Sequence, residues 1–296
     1  MNWRADQQDT WKQFAEQLSP GSLQSSLRML VLAAHPDDEA IGASTLLARF
    51  PQSKVVFLTD GAPRDHHFWT GGPYQSREEY AVRRRVEASQ ALAQANILAE
   101  QIVWLGAVDQ EAVLEIPRLM DGVVNVVNQA RPDVVITHPY EGGHPDHDCA
   151  ALVAALAVAA LDHKPQLMEM TSYHAENGQC VTGKFLESHC APDLEGRGYT
   201  NPLTYVPAPA IAAFDLSEQD RQRKKNMLDA YASQRIVLQN FSTDQEMFRL
   251  APDYDFTQPP HEGKLWYECM GWQMTGARWR ELALVAIDAL REHSCR

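Results

Sequence analysis

The chain has 296 residues, enough for two units or for one enlarged α/β domain. Lys plus Arg number 26 against 39 Asp plus Glu, and the resulting net charge of −13 argues against a phosphate-tracking surface and so against nucleic acid as a partner. An apolar fraction of 45% with 22% charged residues excludes chain-wide disorder and permits a sizeable core.

In chain order, Asp6 to Leu18 has a helical pattern, with Trp11, Phe14 and Leu18 on one face and Pro20-Gly21 as its stop. Met29 to Ala34 is an unbroken apolar run, the mark of a strand buried on both faces of a parallel sheet. A helix is expected from about Ala40 to Phe50, a second buried strand at Val55 to Leu58, a loop from Pro63 to Pro73 and a long helix from Arg77 to Ala95. Ile102 to Leu105, a helix from about Ala112 to Ala130, Val134 to Thr137 and a helix from Cys149 to Leu161 continue the alternation. Four buried strands alternating with helices predict a doubly wound, mostly parallel α/β sheet with right-handed crossovers. Ligands in such sheets bind at the carboxyl ends of strands, where two polar clusters fall.

Beyond Leu167 the rhythm changes. Met168 to Tyr173 and Leu203 to Phe214 read as strands, and Ser217 with Asp220 reads as a cap opening a helix to about Ser233. An aromatic and Pro-rich stretch, 235 to 275, leads to an amphipathic helix from about Ala277 to Leu290. We expect a single domain over 1–296, with an α/β core at about 28–170 and a C-terminal extension at about 171–296 packed on it. The five cysteines (Cys149, Cys180, Cys190, Cys269, Cys295) form no C-x-x-C pair, which favours free thiols in a reducing compartment over a zinc ribbon or disulfide framework. The N-terminus lacks an apolar signal core, and the longest apolar run, Ala150 to Leu161, is twelve residues, too short to span a bilayer. A cytoplasmic protein without a transmembrane segment is expected.

The first polar cluster is His35-Pro36-Asp37-Asp38-Glu39. Adjacent carboxylates repel unless a cation neutralises them or one takes a proton, so one can ligate a metal while its neighbour serves as a base. The second runs from His138 to Asp148 and concentrates three of the eleven histidines, with Gly142-Gly143 letting the backbone turn inward. Imidazole with carboxylate and no nearby thiolate points to zinc or another divalent first-row ion. Each cluster has a bland counterpart: a helix entry with capping carboxylates for the first, a polar loop for the second. Finding both at neighbouring strand ends favours a site. Arg83-Arg84-Arg85 reads as a solvated helix face, Trp266, Tyr267 and Trp272 as core, and no G-x-G-x-x-G follows the first strand.

Ala34-His35-Pro36-Asp37-Asp38-Glu39 followed by Gly143-His144-Pro145-Asp146-His147 resembles the PIG-L (LmbE-like) family of zinc-dependent N-acetylglucosaminyl deacetylases, a likeness covering roughly 28–165. The resemblance implies a Rossmann-like fold and a Zn2+ cofactor, with His35, Asp38 and His147 as metal ligands. It implies Asp37 as general base on the water at the metal, and His144, oriented by Asp146, as oxyanion stabiliser or acid toward the leaving amine. Arg84 with Glu87, and Leu105-Gly106 with Asp109, match family patterns near the sugar hydroxyls, so Arg84 and Asp109 are expected to bind substrate. Where the mycothiol-pathway branch has a Tyr two residues before the second motif's first His, this chain has Gly142, so a phenol must come from Tyr140 or elsewhere. The implied reaction is removal of an acetyl or other acyl group from the amide of an N-acetylglucosamine-like sugar or glycoconjugate. The alternatives are hydrolysis of another acyl bond, such as an ester or acylated natural product, and a metal-binding homologue without turnover.

Overall fold

The computed structural model describes residues 27–186 and 211–294. The helix expected at Asp6 to Leu18 lies outside them, as does the strand expected at Leu203 to Phe214 apart from its last residues. The four apolar runs form the strands they predict, β1 (Met29–Ala33), β2 (Lys54–Pro63), β3 (Ile102–Asp109) and β4 (Val134–Thr137), and β5 (Gln166–Met170) follows beside β4. They pair in parallel in the order β3-β2-β1-β4-β5. Alternate β1 side chains enter opposite layers: Met29, Val31 and Ala33 pack into one apolar cluster, Leu30 and Leu32 into the other. A strand with both faces covered must be apolar at every position, which is why these runs do not alternate.

Helices fill both faces. Expected as one helix at 40–50, the chain instead forms α1 (Asp38–Gly42) and α2 (Ser44–Arg49), interrupted at Ala43. α3 (Arg77–Ala93), capped by Ser76, lies on the same side of the sheet as these two. The helix expected from Ala112 opens as a 3-10 turn and becomes α4 (Ile116–Ala130). α5 (Pro145–Ala160) begins four residues before the expected Cys149. Pro at its first position has the φ a helix needs, and His144 caps it by accepting the Asp146 amide on Nδ1 at 3.1 Å. The second histidine motif is therefore a helix entry.

The expected strand at 168–173 divides into β5 and β6 (Tyr173–Glu176), the latter pairing with β7 (Gln179–Thr182) as a separate hairpin. β8 (Ile211–Asp215) leads into α6 (Glu218–Ala230), capped by Ser217 as predicted, and β9 (Gln245–Leu250) inserts antiparallel between β5 and β8. β9 falls in the stretch read only as aromatic and Pro-rich, where the buried charges Glu246 and Arg249 interrupt the apolar pattern of a strand. Glu246 approaches Lys224, and Arg249 binds Glu169 at 2.7 Å. Among the described residues the sheet is thus seven-stranded and mostly parallel, with C-terminal strands and helices added to the α/β core. A last helix, α7 (Gly276–Ser294), docks through the fully buried Trp279, whose Nε1 donates to the Pro145 carbonyl at 2.9 Å. No helix among the described residues is long and apolar enough to cross a membrane.

Candidate metal centre and catalytic site

Strand order reverses between β1 and β4: the chain runs outward from β1 to β2 and β3, then returns to β4 on the other side. The carboxyl ends of strands at such a point diverge into a crevice. His35 follows β1 and His138 follows β4, so the two polar clusters meet there. Among the described residues, His35, Asp38 and His147 bring donor atoms together, and His35, Asp109, His144 and Asp146 form a second, overlapping group.

Asp38 is central. Its Oδ2 accepts the His35 amide at 2.8 Å and lies 3.3 Å from His35 Nδ1, while Oδ1 stands 3.2 Å from His147 Nε2. Ser172 Oγ lies 3.3 Å from His147 Nδ1, and the His147 ring stacks on His138 with centroids 4.0 Å apart. His138 itself accepts the Ala34 amide on Nε2, tying β4 to β1. His147 Nε2 is buried without a hydrogen-bond partner among the described residues and faces a carboxylate oxygen. Donor atoms on one tetrahedral zinc stand roughly 3.3 Å apart, given bonds of about 2.0–2.1 Å. The His35, Asp38 and His147 donor atoms all lie within 4.8 Å of one another, and this imidazole–carboxylate set suits such an ion.

Electrostatics follow the same grouping. Burial pushes His147 down to about 3, with His138 adding to the effect and Asp38 opposing it, so it is a neutral donor. Asp38 lies well below its ordinary range, because His147 and His138 overcome the cost of burial. Burial would lower His35, but Asp109, Asp146 and Asp38 outweigh it and hold its pKa well above 6.5. The pocket thus favours positive charge between its carboxylates.

Asp37 occupies an unusual backbone conformation, φ 137° and ψ −26°, of the kind non-Gly residues hold only when their surroundings enforce it. Its amide donates to Glu39 Oε2 at 3.0 Å, and its carbonyl accepts from Ala40 and Ile41 to start α1. The carboxylate makes no capping bond, which removes the bland helix-cap reading. Oδ2 instead pairs with Arg84 Nη2 at 3.1 Å. Arg84 also donates to the Pro36 carbonyl and, from Nε, to the Gly61 carbonyl at 3.2 Å. A Cβ at Gly61 would stand 2.7 Å from Pro36 Cδ and 2.8 Å from Arg84 Nε, so this approach requires glycine. Burial raises Asp37 to about 6, restrained by Arg84, with Asp38 pushing further upward. A carboxyl poised there suits proton transfer near neutrality.

Arg84 was expected to meet sugar hydroxyls. At 2% exposure it lies behind Asp37 instead, and Glu87 is occupied by Arg83 and Ser233 rather than by Arg84. Asp109, also expected at the substrate, has Oδ1 3.3 Å from His35 Nε2 and 3.7 Å from His144 Nε2. Asp146 was expected to orient His144. Its backbone amide does so, while the carboxylate takes His35 Nε2 at 3.0 Å and the amides of Gln110 and Ala112 at 2.6 and 3.0 Å. A carboxylate on the far nitrogen of a metal-binding imidazole fixes its tautomer and ring orientation. Burial, with His35 and His147 nearby, lowers His144 well below 6.5, so it is neutral with Nε2–H directed toward Asp109.

Tyr140 is not in the site. It packs against Phe256 and Trp279 and donates to the Gln258 carbonyl. The phenol near the metal donors is Tyr173, whose ring lies 5.1 Å from His147. Trp272, expected in the core, stands edge-on to His144 at 4.6 Å, and Phe68 from the 63–73 loop meets it at 6.2 Å. Nothing in the local sequence marks Tyr173 or Trp272, since each arrives on a distant segment.

Comparison with known proteins matches residues 30–159 to the PIG-L family model, described as GlcNAc-PI de-N-acetylase. A curated relative, the 1D-myo-inositol 2-acetamido-2-deoxy-alpha-D-glucopyranoside deacetylase of Rhodococcus erythropolis, is 28% identical over 159 residues, covering 46% of this chain and 54% of that protein. The chain thus matches about half the length of this relative. Among solved structures, the A40926 pseudoaglycone deacetylase Dbv21 superposes with a TM-score of 0.55 at 18% identity, covering 78% of this chain and 99% of that one. The N,N'-diacetylchitobiose deacetylase of Pyrococcus horikoshii gives 0.50 at 16%, covering 83% and 92%. At these identities the structural likeness is one of fold.

Proposed function

Proceeding from residues 30–159 as a PIG-L family domain, we propose that the protein is a metal-dependent hydrolase removing an acetyl or other acyl group from the amide of an N-acetylglucosamine-like sugar or glycoconjugate. The observation that carries the reading is Asp37, an arginine-paired carboxyl with a pKa of about 6, beside a buried donor set of two histidines and an aspartate. The relatives named above are by their descriptions deacetylases of an acetamido-deoxy-glucopyranoside, of N,N'-diacetylchitobiose and of the A40926 pseudoaglycone, which supports the same chemistry here. The free thiols of Cys149, Cys180 and Cys269 accord with a cytoplasmic setting.

His35, Asp38 and His147 would hold the cation, zinc or another divalent first-row ion. When bound, such a cation supplies Lewis acidity, acidifying a coordinated water and polarising an acyl oxygen. Asp37 accepts the proton of the attacking water on its carboxylate while Arg84 keeps that carboxylate oriented. His144, a neutral imidazole, presents Nε2–H to the developing oxyanion, and the proton that Asp37 takes from the water passes on to the leaving nitrogen. Asp146 fixes His35 and, through its amide, His144.

The test uses zinc-loaded protein on N-acetylglucosamine conjugates and aryl esters, with and without chelator. Chelator-sensitive release of acetate from the amides is expected, and Asp37→Ala should lose about 10²–10⁴-fold in kcat while retaining its metal. Release from esters alone would replace the amide reading. No release from either class, or full activity in Asp37→Ala, would overturn the assignment.

A further inference from the structure

The surroundings of Asp37 include a residue that lies far outside the matched region. Tyr231 ends α6 and is fully buried. Its hydroxyl donates to Glu39 Oε1 at 2.5 Å, and the other oxygen of Glu39 accepts the Asp37 amide at 3.0 Å. Glu39 is itself 0% exposed, so this carboxyl makes both contacts away from solvent. The Tyr231 ring also lies 5.7 Å from the guanidinium centre of Arg84, the group on Asp37 Oδ2. Both supports of Asp37, one on its backbone and one on its carboxylate, therefore meet the same ring.

The turn carrying Tyr231 is clamped from outside. Ser233 donates from N and Oγ to Glu87 of α3 at 3.0 and 2.5 Å, and Gln234 donates to Tyr80 at 2.6 Å. The Ser233 carbonyl accepts Thr70 Oγ1, and Gly71 passes so close that a Cβ there would stand 2.6 Å from Ser233 Cα. Tyr231 thus sits on a fixed anchor between α3 and the 63–73 loop.

We infer that Tyr231 is a positioning residue for the reaction: through Glu39 it keeps Asp37 in its left-hand backbone conformation with the carboxylate aimed past Arg84 into the site. This rests on the reading of Asp37 as the base. A backbone held in a sparsely populated region costs of order 1–3 kcal/mol and relaxes once its restraints weaken. A shift of about 1 Å in a reacting group can lower turnover by about 10²-fold.

Tyr231→Phe in the zinc-loaded full chain keeps the ring beneath Arg84 and removes only the hydroxyl. The expected result is a fall in kcat of about 10- to 100-fold, with KM within about twofold and bound zinc unchanged. Glu39→Gln can still accept the Asp37 amide and donate to Tyr231, so it should retain most activity, whereas Glu39→Ala should not. Combining Tyr231→Phe with Glu39→Ala should be no worse than Glu39→Ala alone, since the hydroxyl acts through that carboxyl. Wild-type kcat in Tyr231→Phe, additive losses, or a fall in kcat that tracks loss of zinc would overturn the inference. A crystal structure of zinc-loaded Tyr231→Phe separates this from the activity itself. Asp37 leaving its positive φ, or its carboxylate withdrawing from Arg84, supports the inference. An unchanged Asp37 refutes it even if no substrate is found. An inactive wild type with the displacement present would refute only the proposed reaction.

Discussion

Chelation should lower the thermal stability of this protein by an amount set by how far metal concentration exceeds its Kd. Asp37, Asp38, Asp109 and Asp146 converge beside His35, His144 and His147, with Arg84 as the permanent cation on Asp37. Without a metal, the pocket keeps His35 protonated above its usual range to offset its carboxylates. A ligand that binds only the folded state stabilises by RT ln(1 + [L]/Kd), about 2.7 kcal/mol at 100 Kd and about 4.1 kcal/mol at 1,000 Kd. For a chain of this size roughly 2 °C of Tm accompanies each kcal/mol, so removing zinc from a well-loaded sample should lower Tm by about 5–8 °C. Calorimetry of the full chain in EDTA, followed by zinc back-titration, measures this. His147→Ala should abolish the zinc-dependent component, since its Nε2 is the buried donor atom with no other partner among the described residues. Asp65, His66 and His67 form an exposed group whose donors also converge, so His67→Ala is the control and should leave the shift intact. A Tm indifferent to EDTA and zinc, or a shift that survives His147→Ala but vanishes in His67→Ala, would refute the reasoning.

Arg84→Gln removes the cation from Asp37, favours the protonated carboxyl and raises its pKa above about 6. The acid limb of kcat/KM should therefore move to higher pH, by about 1–3 units, and a limb that stays or moves lower contradicts the pairing. His144→Ala leaves the His35–Asp38–His147 group intact, so metal content should hold while kcat falls about 10²–10³-fold; loss of zinc would show that His144 is a ligand instead. Gly143→Ala places a Cβ on the Tyr173 carbonyl, a backbone group that cannot rotate away. Urea denaturation should show a loss of about 3 kcal/mol or more, and a change within about 0.5 kcal/mol would mean that the 142–144 turn yields freely.

The α/β core was legible because burial on both faces leaves a compositional trace: Met29 to Ala34, Val55 to Leu58 and Val134 to Ile136 have no polar interruption. The site was legible for a related reason. His35 to Glu39 and His138 to Asp148 place costly polar side chains beside those strands, and few structural needs demand that. β9 left no such trace. Glu246 and Arg249 are as buried as neighbouring apolar residues, but their partners, Lys224 and Glu169, come from other elements. A compensated buried charge has the sequence signature of a loop.

The same limit explains why the site's residues were identified more easily than their partners. The motif places Asp146 two residues from His144, which invites a carboxylate–imidazole pair, yet helix entry at Pro145 turns the Asp146 amide toward His144 and its carboxylate toward His35. Had the helix begun at Cys149, that division would not arise. Arg84 lies on α3, and only the crossover packing of α3 beside the β2 end sets which face meets Asp37. Tyr231 is 192 residues from the Glu39 it binds. Local sequence determines which side chains stand at a strand end, whereas the packing of distant elements determines which of their atoms face each other. Proton transfer depends on the second relation, so the acid–base wiring of Asp37 is a property of the assembled layers and is absent from either motif taken alone.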